Sequence, residues 1–293
     1  MKVNFAVWYG LGIGCHREWL PSLKQAGANA ELVHINEILR GEKDIRKYDV
    51  TIGPGGFTYG DMLGAGRPFA TKLETALVPV DGKLRPFMEL FKEYINQGGM
   101  FYGQCNFFQI LSQLGALPGW DGNYTKPAFS LTTNKGIERY YVDFILHRVN
   151  QNSPCQAFKG LDTIVLSCRH GEGCVTFRRE YGQISEQEAE ANRKRMHTDN
   201  NILLWYADKK TGQPTMRFPD NPNGSTDSIA AVTDQSGRVF ATMGHIEAIT
   251  LFQHEDGWYR KADELRRKGL PTPDKGKGMQ IIENIIKAAK GER

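Results

Sequence analysis

Cys105 has the setting of a cysteine nucleophile. It follows a short apolar run at 100–102 and Gly103-Gln104, and it precedes a helical pattern at 106–114. A residue on such a sharp strand-to-helix turn is held out into a cleft. The following helix aims free backbone N–H groups and its positive dipole end at the sulfur, which favours thiolate over thiol. The competing reading is an inert core thiol, because free cysteines are among the most buried residue types. A nucleophilic cysteine also needs a base, and of the seven histidines (16, 34, 147, 170, 197, 245 and 254) His245 is the best placed. It follows a predicted strand at 239–243, and Glu247 comes two residues later, which in extended backbone puts both side chains on one face. A carboxylate there would accept the imidazole N–H, set the tautomer and stabilise the imidazolium. His-x-Glu alone is a common pattern and gains meaning only from the cysteine.

Acyl chemistry at a thiolate builds a tetrahedral oxyanion, and one well-placed donor lowers its barrier by roughly 2.7–4 kcal/mol. Gly53-Pro54-Gly55-Gly56, after a predicted third strand, can bring backbone N–H groups close to a substrate, and Asn106 offers the N–H next to the nucleophile. A plain turn or a phosphate cradle are the other readings of that loop, although the Lys-Ser/Thr ending of a P-loop is missing. Gly10-x-Gly12-x-x-Cys15 is an incomplete dinucleotide fingerprint. Cys168, His170 and Cys174 offer three soft ligands without paired C-x-x-C spacing, so no metal site is expected.

These residues need a scaffold that brings positions 53–56, 105 and 245 together. The first half alternates predicted strands at 3–8, 31–35 and 49–52 with a helix at 18–25, then continues with a helix at 84–96 and the strand at 100–102. Such βαβ alternation predicts a mostly parallel central sheet with helices on both faces. The second half adds predicted strands at 140–146, 163–167, 202–205, 229–233 and 239–243. Ser185 with Glu188 reads as a capping box, and Glu190 with Lys194 as an i,i+4 pair, so 185–196 is predicted to be a solvent-facing helix. Met279, Ile282, Ile285 and Ile286 recur at helical spacing within 276–290 and predict a closing helix docked on the core. No composition break divides the chain, which predicts one α/β domain over 1–293 with an extension at about 255–293 packed on it.

The chain has 293 residues, 40% hydrophobic and 24% charged, with a net charge of +4, values of an ordinary globular protein that argue against disorder or a coiled coil. Its longest apolar runs, such as 202–206, fall far short of the roughly 20 residues of a membrane span. Basic residues are interspersed with acids, so no nucleic-acid partner is expected. The amino terminus lacks a small-residue cleavage site and reads as a strand, and five unpaired-looking cysteines suit a reducing compartment. A cytosolic protein is expected.

Taken in order, Gly53-Pro-Gly-Gly-Phe-Thr-Tyr-Gly-Asp61, Gly103-Gln-Cys-Asn-Phe-Phe-Gln-Ile-Leu111, His170-Gly-Glu-Gly173, Asn221-Pro-Asn-Gly-Ser225 and Met243-Gly-His-Ile-Glu247 resemble one family. It is the PurQ type of class I glutamine amidotransferase, the glutaminase subunits of phosphoribosylformylglycinamidine synthase. Gly12-Ile-Gly-Cys-His-Arg-Glu18, Leu114-Gly-Ala-Leu-Pro-Gly119 and Gly276-Lys-Gly-Met-Gln-Ile-Ile-Glu-Asn284 are similar to further family segments, so the likeness runs through most of the chain. The resemblance implies a flavodoxin-like amidotransferase fold and a triad of Cys105, His245 and Glu247. It implies an oxyanion hole from Gly55, Gly56 and Asn106, and a glutamine seat from Phe57, Tyr59, Gly60, Asp61 and Gln109. His170 and Glu172 fall in a loop placed near the site or an interface. Ammonia would pass to a large ATP-using synthetase subunit, with a small bridging subunit as a further partner. No cofactor would sit on this chain, ATP and Mg being expected on the synthetase.

Two departures lie at the site. Phe107 stands where the family elbow has glycine, and would fill the glutamine pocket or reshape the elbow. Met243-Gly-His-Ile-Glu247 lacks both family prolines, although β-branched Ile246 would favour the extended backbone that keeps His245 and Glu247 on one face. Ile137-Glu-Arg-Tyr-Tyr141 differs as well. These departures leave open a stand-alone cysteine amidase of the same fold, or a binding subunit without turnover.

Overall fold

The computed structural model describes residues 1–135, 140–177 and 184–292. The first part runs β1 (Asn4–Tyr9), α1 (His16–Gln25), β2 (Asn29–His34), α2 (Ile35–Leu39), β3 (Val50–Gly53), α3 (Arg67–Thr75), β4 (Leu77–Val80), β5 (Lys83–Pro86), α4 (Phe87–Asn96), β6 (Met100–Gln104) and α5 (Asn106–Leu114). It continues with β7 (Ser130–Thr133), β8 (Tyr141–Val149), β9 (Thr163–His170), β10 (Glu172–Thr176), α6 (Glu186–Thr198), β11 (Ile202–Tyr206), β12 (Ile229–Thr233), β13 (Val239–Thr242), α7 (Trp258–Arg267) and α8 (Lys277–Ala289).

Nine strands form the central sheet in the order β2-β1-β3-β6-β13-β12-β11-β8-β9. Its first five strands are parallel and carry the site, and the strands beyond β13 extend it antiparallel. Side chains alternate along each strand, and both faces are covered. Ala6 and Trp8 of β1 enter one core with Phe69, Phe91 and Phe107, while Phe5 and Val7 enter another with Trp19, Leu203 and Ile282. A parallel strand buried on both faces therefore reads as a continuous apolar run, as 5–8 does. In α8, Met279, Ile282, Ile285 and Ile286 are buried, together with Ile281.

Several local expectations change. Residues 84–86 are strand, because Asp81 (φ 53°) and Gly82 (φ 73°) make a two-residue turn that pairs Val80 with Lys83. An Asp-Gly pair flanked by short strands is a strong hairpin signal, and the helix starts only after Pro86. Ile35 opens α2 under a His34 cap instead of ending β2. The helices α3 and α7 and the β7–β10 pair were not foreseen, although Pro68 near the start of α3 marks a helix N-terminus. α6 forms as expected, with the Ser185 side chain accepting from the Glu188 N–H and only Met196 buried. The divergent segment that begins at Ile137 lies outside the described residues as far as Arg139. No helix among the described residues is long and apolar enough to cross a membrane.

Phe107 does not enter a substrate pocket. It is fully buried, with its ring 5.6 Å from Phe69, 5.7 Å from Trp8 and 6.0 Å from Phe101, centroid to centroid. The space comes from Gly53, where a Cβ would overlap the Phe107 ring. The absent side chain at Gly53 thus makes room for the ring at Phe107. We expect Phe107→Ala to cost about 3–5 kcal/mol in urea unfolding, and Gly53→Ala to cost roughly 1–3 kcal/mol by overpacking. A stable Phe107→Ala protein with improved glutamine turnover would instead mean that the ring obstructs the site.

Candidate active site

The ladders decide which loops meet. Gly53 pairs with Gly103, and Gln104 with Thr242, so the chain leaves β3, β6 and β13 at one level on one edge of the sheet. Just beyond lie Gly55-Gly56, Cys105 and Gly244-His245. The carboxyl edge of parallel strands is where open α/β sheets place their ligands.

Cys105 caps α5 with φ 51° and ψ −106°, a conformation that a non-glycine residue adopts only under strain. Its N–H donates to the Thr242 carbonyl at 2.8 Å, which ties the elbow to the end of β13. The thiol is nearly buried, with Sγ 4.0 Å from the Arg169 carbonyl oxygen. Asn106 opens the helix, where its N–H has no intrahelical acceptor. The Asn106 side-chain oxygen accepts from the Thr58 N–H at 3.1 Å and the Thr58 hydroxyl at 2.7 Å, fastening the 57–61 loop to the elbow. Gly55 accepts from the N–H groups of Gly14 (2.8 Å) and Cys15 (3.1 Å), while the Phe57 N–H donates to Gly12. The Gly56 N–H, anti to the Gly55 carbonyl across a trans peptide, stays outside that ladder.

His245 is buried, and its Nδ1 lies 2.7 Å from Glu247 Oε1. The contact is made differently from the expectation. Ile246 is helical (φ −71°, ψ −41°) and Glu247 begins a 3-10 turn, so the backbone bends between the two residues instead of running extended. Gly244 allows this path where the family has proline. A Cβ at Gly244 would stand 2.6 Å from Leu166 Cβ, and the close approach lets the His245 N–H donate to the Ser167 carbonyl at 2.9 Å. A Cβ placed on Gly55 would lie 3.2 Å from Cys105 Cβ and 3.1 Å from His245 Cε1, so nucleophile and base flank one point. Burial by itself opposes charge on the ring. The Glu247 carboxylate at 2.7 Å and the nearby cysteine sulfurs outweigh it, so the His245 pKa stands well above an ordinary imidazole. Catalytic contacts to the other ring nitrogen often tighten only with substrate bound.

The other candidates lie on the 57–61 loop, on α5 and on the 170–172 segment, and the cavity that Asp61 and Glu172 share is lined by none of the triad residues. Phe57 and Tyr59 are exposed, and Gly60 turns the loop with φ 73°. Asp61 and Glu172 line a cavity of about 640 Å³ with Arg67 and Gln113. Burial and the facing Glu172 raise the Asp61 pKa. Gln109 is buried with both amide ends engaged, accepting from Asn106 and donating to the Glu172 carbonyl. Glu172 also accepts from the Ala65 N–H at 3.0 Å. His170 lies inside, and burial lowers its pKa to about 3.

Three neighbours of His245 escaped the sequence reading. The Gln104 amide lies 2.9 Å from Nδ1, and the Arg169 guanidinium lies 3.3 Å from Nδ1 and 3.4 Å from Glu247 Oε1. Cys15 Sγ is 3.9 Å from the same nitrogen. Gln104 and Cys15 do lie inside family-like motifs, and Arg169 stands just before one, but nothing in their spacing aims them at His245.

A model of the CobB/CobQ-like glutamine amidotransferase domain matches residues 2–287. The chain belongs to this family. Within it, phosphoribosylformylglycinamidine synthase subunit PurQ of Methanococcus maripaludis is 32% identical over 284 residues, covering 96% of this chain and 95% of that relative. The same subunit of Dehalococcoides mccartyi is 31% identical, with 99% and 98% covered. A chain in the structure of PurLQS from Thermotoga maritima superposes with a TM-score of 0.63 at 21% identity, covering 97% of this chain and 98% of that one. This likeness of fold agrees with an α/β amidotransferase of one domain.

The buried imidazoles predict opposite limbs of a stability profile. His147 and His170 are neutral, with pKa values lowered by burial to about 4 and about 3. Their contribution is complete above pH ~6.5 and is lost as pH falls toward those values, at about 1.4 kcal/mol per pH unit for each group. Urea unfolding between pH 7 and 5 should show this fall, and a flat profile would contradict it. His245 has a raised pKa, so its contribution is present below about pH 6.5 and is lost as pH rises through the raised value. Glu247→Gln should flatten that alkaline limb.

Proposed function

We propose that this chain is the glutaminase subunit of a phosphoribosylformylglycinamidine synthase in purine biosynthesis. The observation that carries the reading is a cysteine on a strained strand-helix elbow beside a buried His245–Glu247 pair 2.7 Å apart, in a chain 32% identical to a PurQ subunit over almost its whole length. Cys105 Sγ attacks the side-chain amide carbon of glutamine, and its proton moves to His245. Gly55, Gly56 and Asn106 donate N–H groups to the tetrahedral oxyanion. His245 then protonates the leaving nitrogen, and ammonia departs from a glutamyl thioester. Water, deprotonated by His245, hydrolyses the thioester to glutamate and restores the thiol. Glu247 holds the imidazole in orientation and stabilises its charge.

Phe57, Tyr59, Gly60, Asp61 and Gln109 seat glutamine, and the His170–Glu172 loop supports that seat through the Gln109 and Ala65 hydrogen bonds. The ammonia is delivered to a large synthetase subunit, with a small bridging subunit completing the complex, as in the PurLQS assembly of Thermotoga maritima. ATP and Mg belong to the large subunit in this scheme, and this chain works without a cofactor. We place the complex in the cytoplasm, where the free state of all five cysteines is favoured.

Cys105→Ala should abolish glutamine-dependent synthesis by the reconstituted complex while leaving ammonia-dependent synthesis intact. Loss of both activities would make Cys105 structural, and retention of both would end the nucleophile assignment.

A further inference from the structure

The mechanism uses Cys105, His245 and Glu247 and gives no work to Cys15, although its sulfur stands as close to the base as a metal ligand would. Cys15 Sγ lies 3.9 Å from His245 Nδ1, and Glu247 Oε1 lies 2.7 Å from the same nitrogen. One ligating atom from each of Cys15, His245 and Glu247 falls within 4.8 Å of the others. His245 and Glu247 are each more than nine-tenths buried, and the second Glu247 oxygen has no hydrogen-bond partner among the described residues. Cys15 is fixed at the start of α1 by its N–H bond to the Gly55 carbonyl, so its position is built into the elbow loop.

We propose that Cys15, His245 and Glu247 form a site for a zinc-class thiophilic divalent cation, and that its occupancy switches off the nucleophile. Thiolate, imidazole and carboxylate are zinc ligands at about 2.0–2.3 Å. A shared ion asks Glu247 to move back from Nδ1 by roughly 0.6 Å so that nitrogen and oxygen reach tetrahedral spacing. Binding releases two protons, that of the Cys15 thiol and that on Nδ1 of the imidazolium, and the ion takes the place of the latter between Nδ1 and Glu247. A neutral imidazole has one lone pair and one proton. With the lone pair on Nδ1 given to the metal, the proton stays on Nε2, and no lone pair remains to accept the proton of Cys105. The cation therefore stops the chemistry without touching the nucleophile. Arg169 opposes it, since its guanidinium already faces both Nδ1 and Glu247 and its side chain is 39% exposed, free to be displaced outward.

The inhibitory consequence rests on the glutaminase reading, whereas the metal site does not. The test is titration of the full chain with Co²⁺, read by its thiolate-to-cobalt charge-transfer band. One equivalent should give the band in the parent and in Cys105→Ala, and Cys15→Ala should lose it. Arg169→Gln should tighten Co²⁺ binding several-fold by removing the competing cation. Zn²⁺ should inhibit glutamine hydrolysis by the complex, with Cys15→Ala requiring about tenfold more zinc or beyond. Cys15→Ser, close in volume, replaces the alanine variant if that one unfolds. A band that survives loss of Cys15, disappears with Cys105, or never forms at one equivalent overturns the site. A band with the expected pattern but no turnover to inhibit would keep the site and remove only its consequence.

Discussion

Parallel pairing of β3, β6 and β13 holds three strand ends level, and the rest of the site is a consequence of that alignment. Gly53 stands beside Gly103, and Gln104 beside Thr242. A one-residue slip in either ladder would turn alternate side chains to the opposite face. The apolar strand residues then leave their cores, so register is enforced by burial on both sides of the sheet. Local devices only finish the placement. The Cys105 N–H bond to Thr242 and the Asn106–Thr58 bonds lock the elbow to the neighbouring strand end and to the loop in front of it.

Departures from the family pattern are absorbed by packing rather than expressed in the cleft. Phe107 and Gly53 are complementary in volume, and the aromatic ring joins Trp8, Phe69 and Phe101 below the elbow. Gly244 and Ile246 replace two prolines, yet the imidazole–carboxylate contact survives because Gly244 lets β9 approach and the chain bends at Ile246. The hydrogen bond is reached through a bent backbone, not the extended one expected from the sequence. A triad is set by where its atoms end up, and several backbone solutions satisfy that condition.

The electrostatics are those of a small buried cluster. Glu247 is wholly buried and is balanced by His245 and by the half-exposed Arg169. Removing one partner from such a group leaves an uncompensated charge in a medium that solvates it poorly. This explains why the imidazole is held toward its charged form despite burial. The triad and Arg169 are thus linked in one balance of charge, with Cys15 at its edge.

Much of this protein was legible in residue order. The strand-turn-helix at Cys105, the Gly-Pro-Gly-Gly loop, the late His-x-Glu and the buried strands are local patterns, and local patterns follow from backbone propensity and hydrophobic period. The hairpin at Asp81-Gly82 was legible too, although 84–86 was assigned to a helix because apolar spacing there fits either element. The tertiary structure alone decided which distant residues surround His245. Gln104, Arg169 and Cys15 come from three separate segments, and the closing of β13 against β6, of β9 against the 244–245 turn and of the 14–15 backbone against Gly55 brings them within 4 Å of one imidazole. It also decided where the Phe107 ring goes, because that depends on a missing side chain at Gly53, more than fifty residues earlier. Sequence period reports which face a residue takes, whereas contact between remote segments depends on chain closure in three dimensions, which no local pattern encodes.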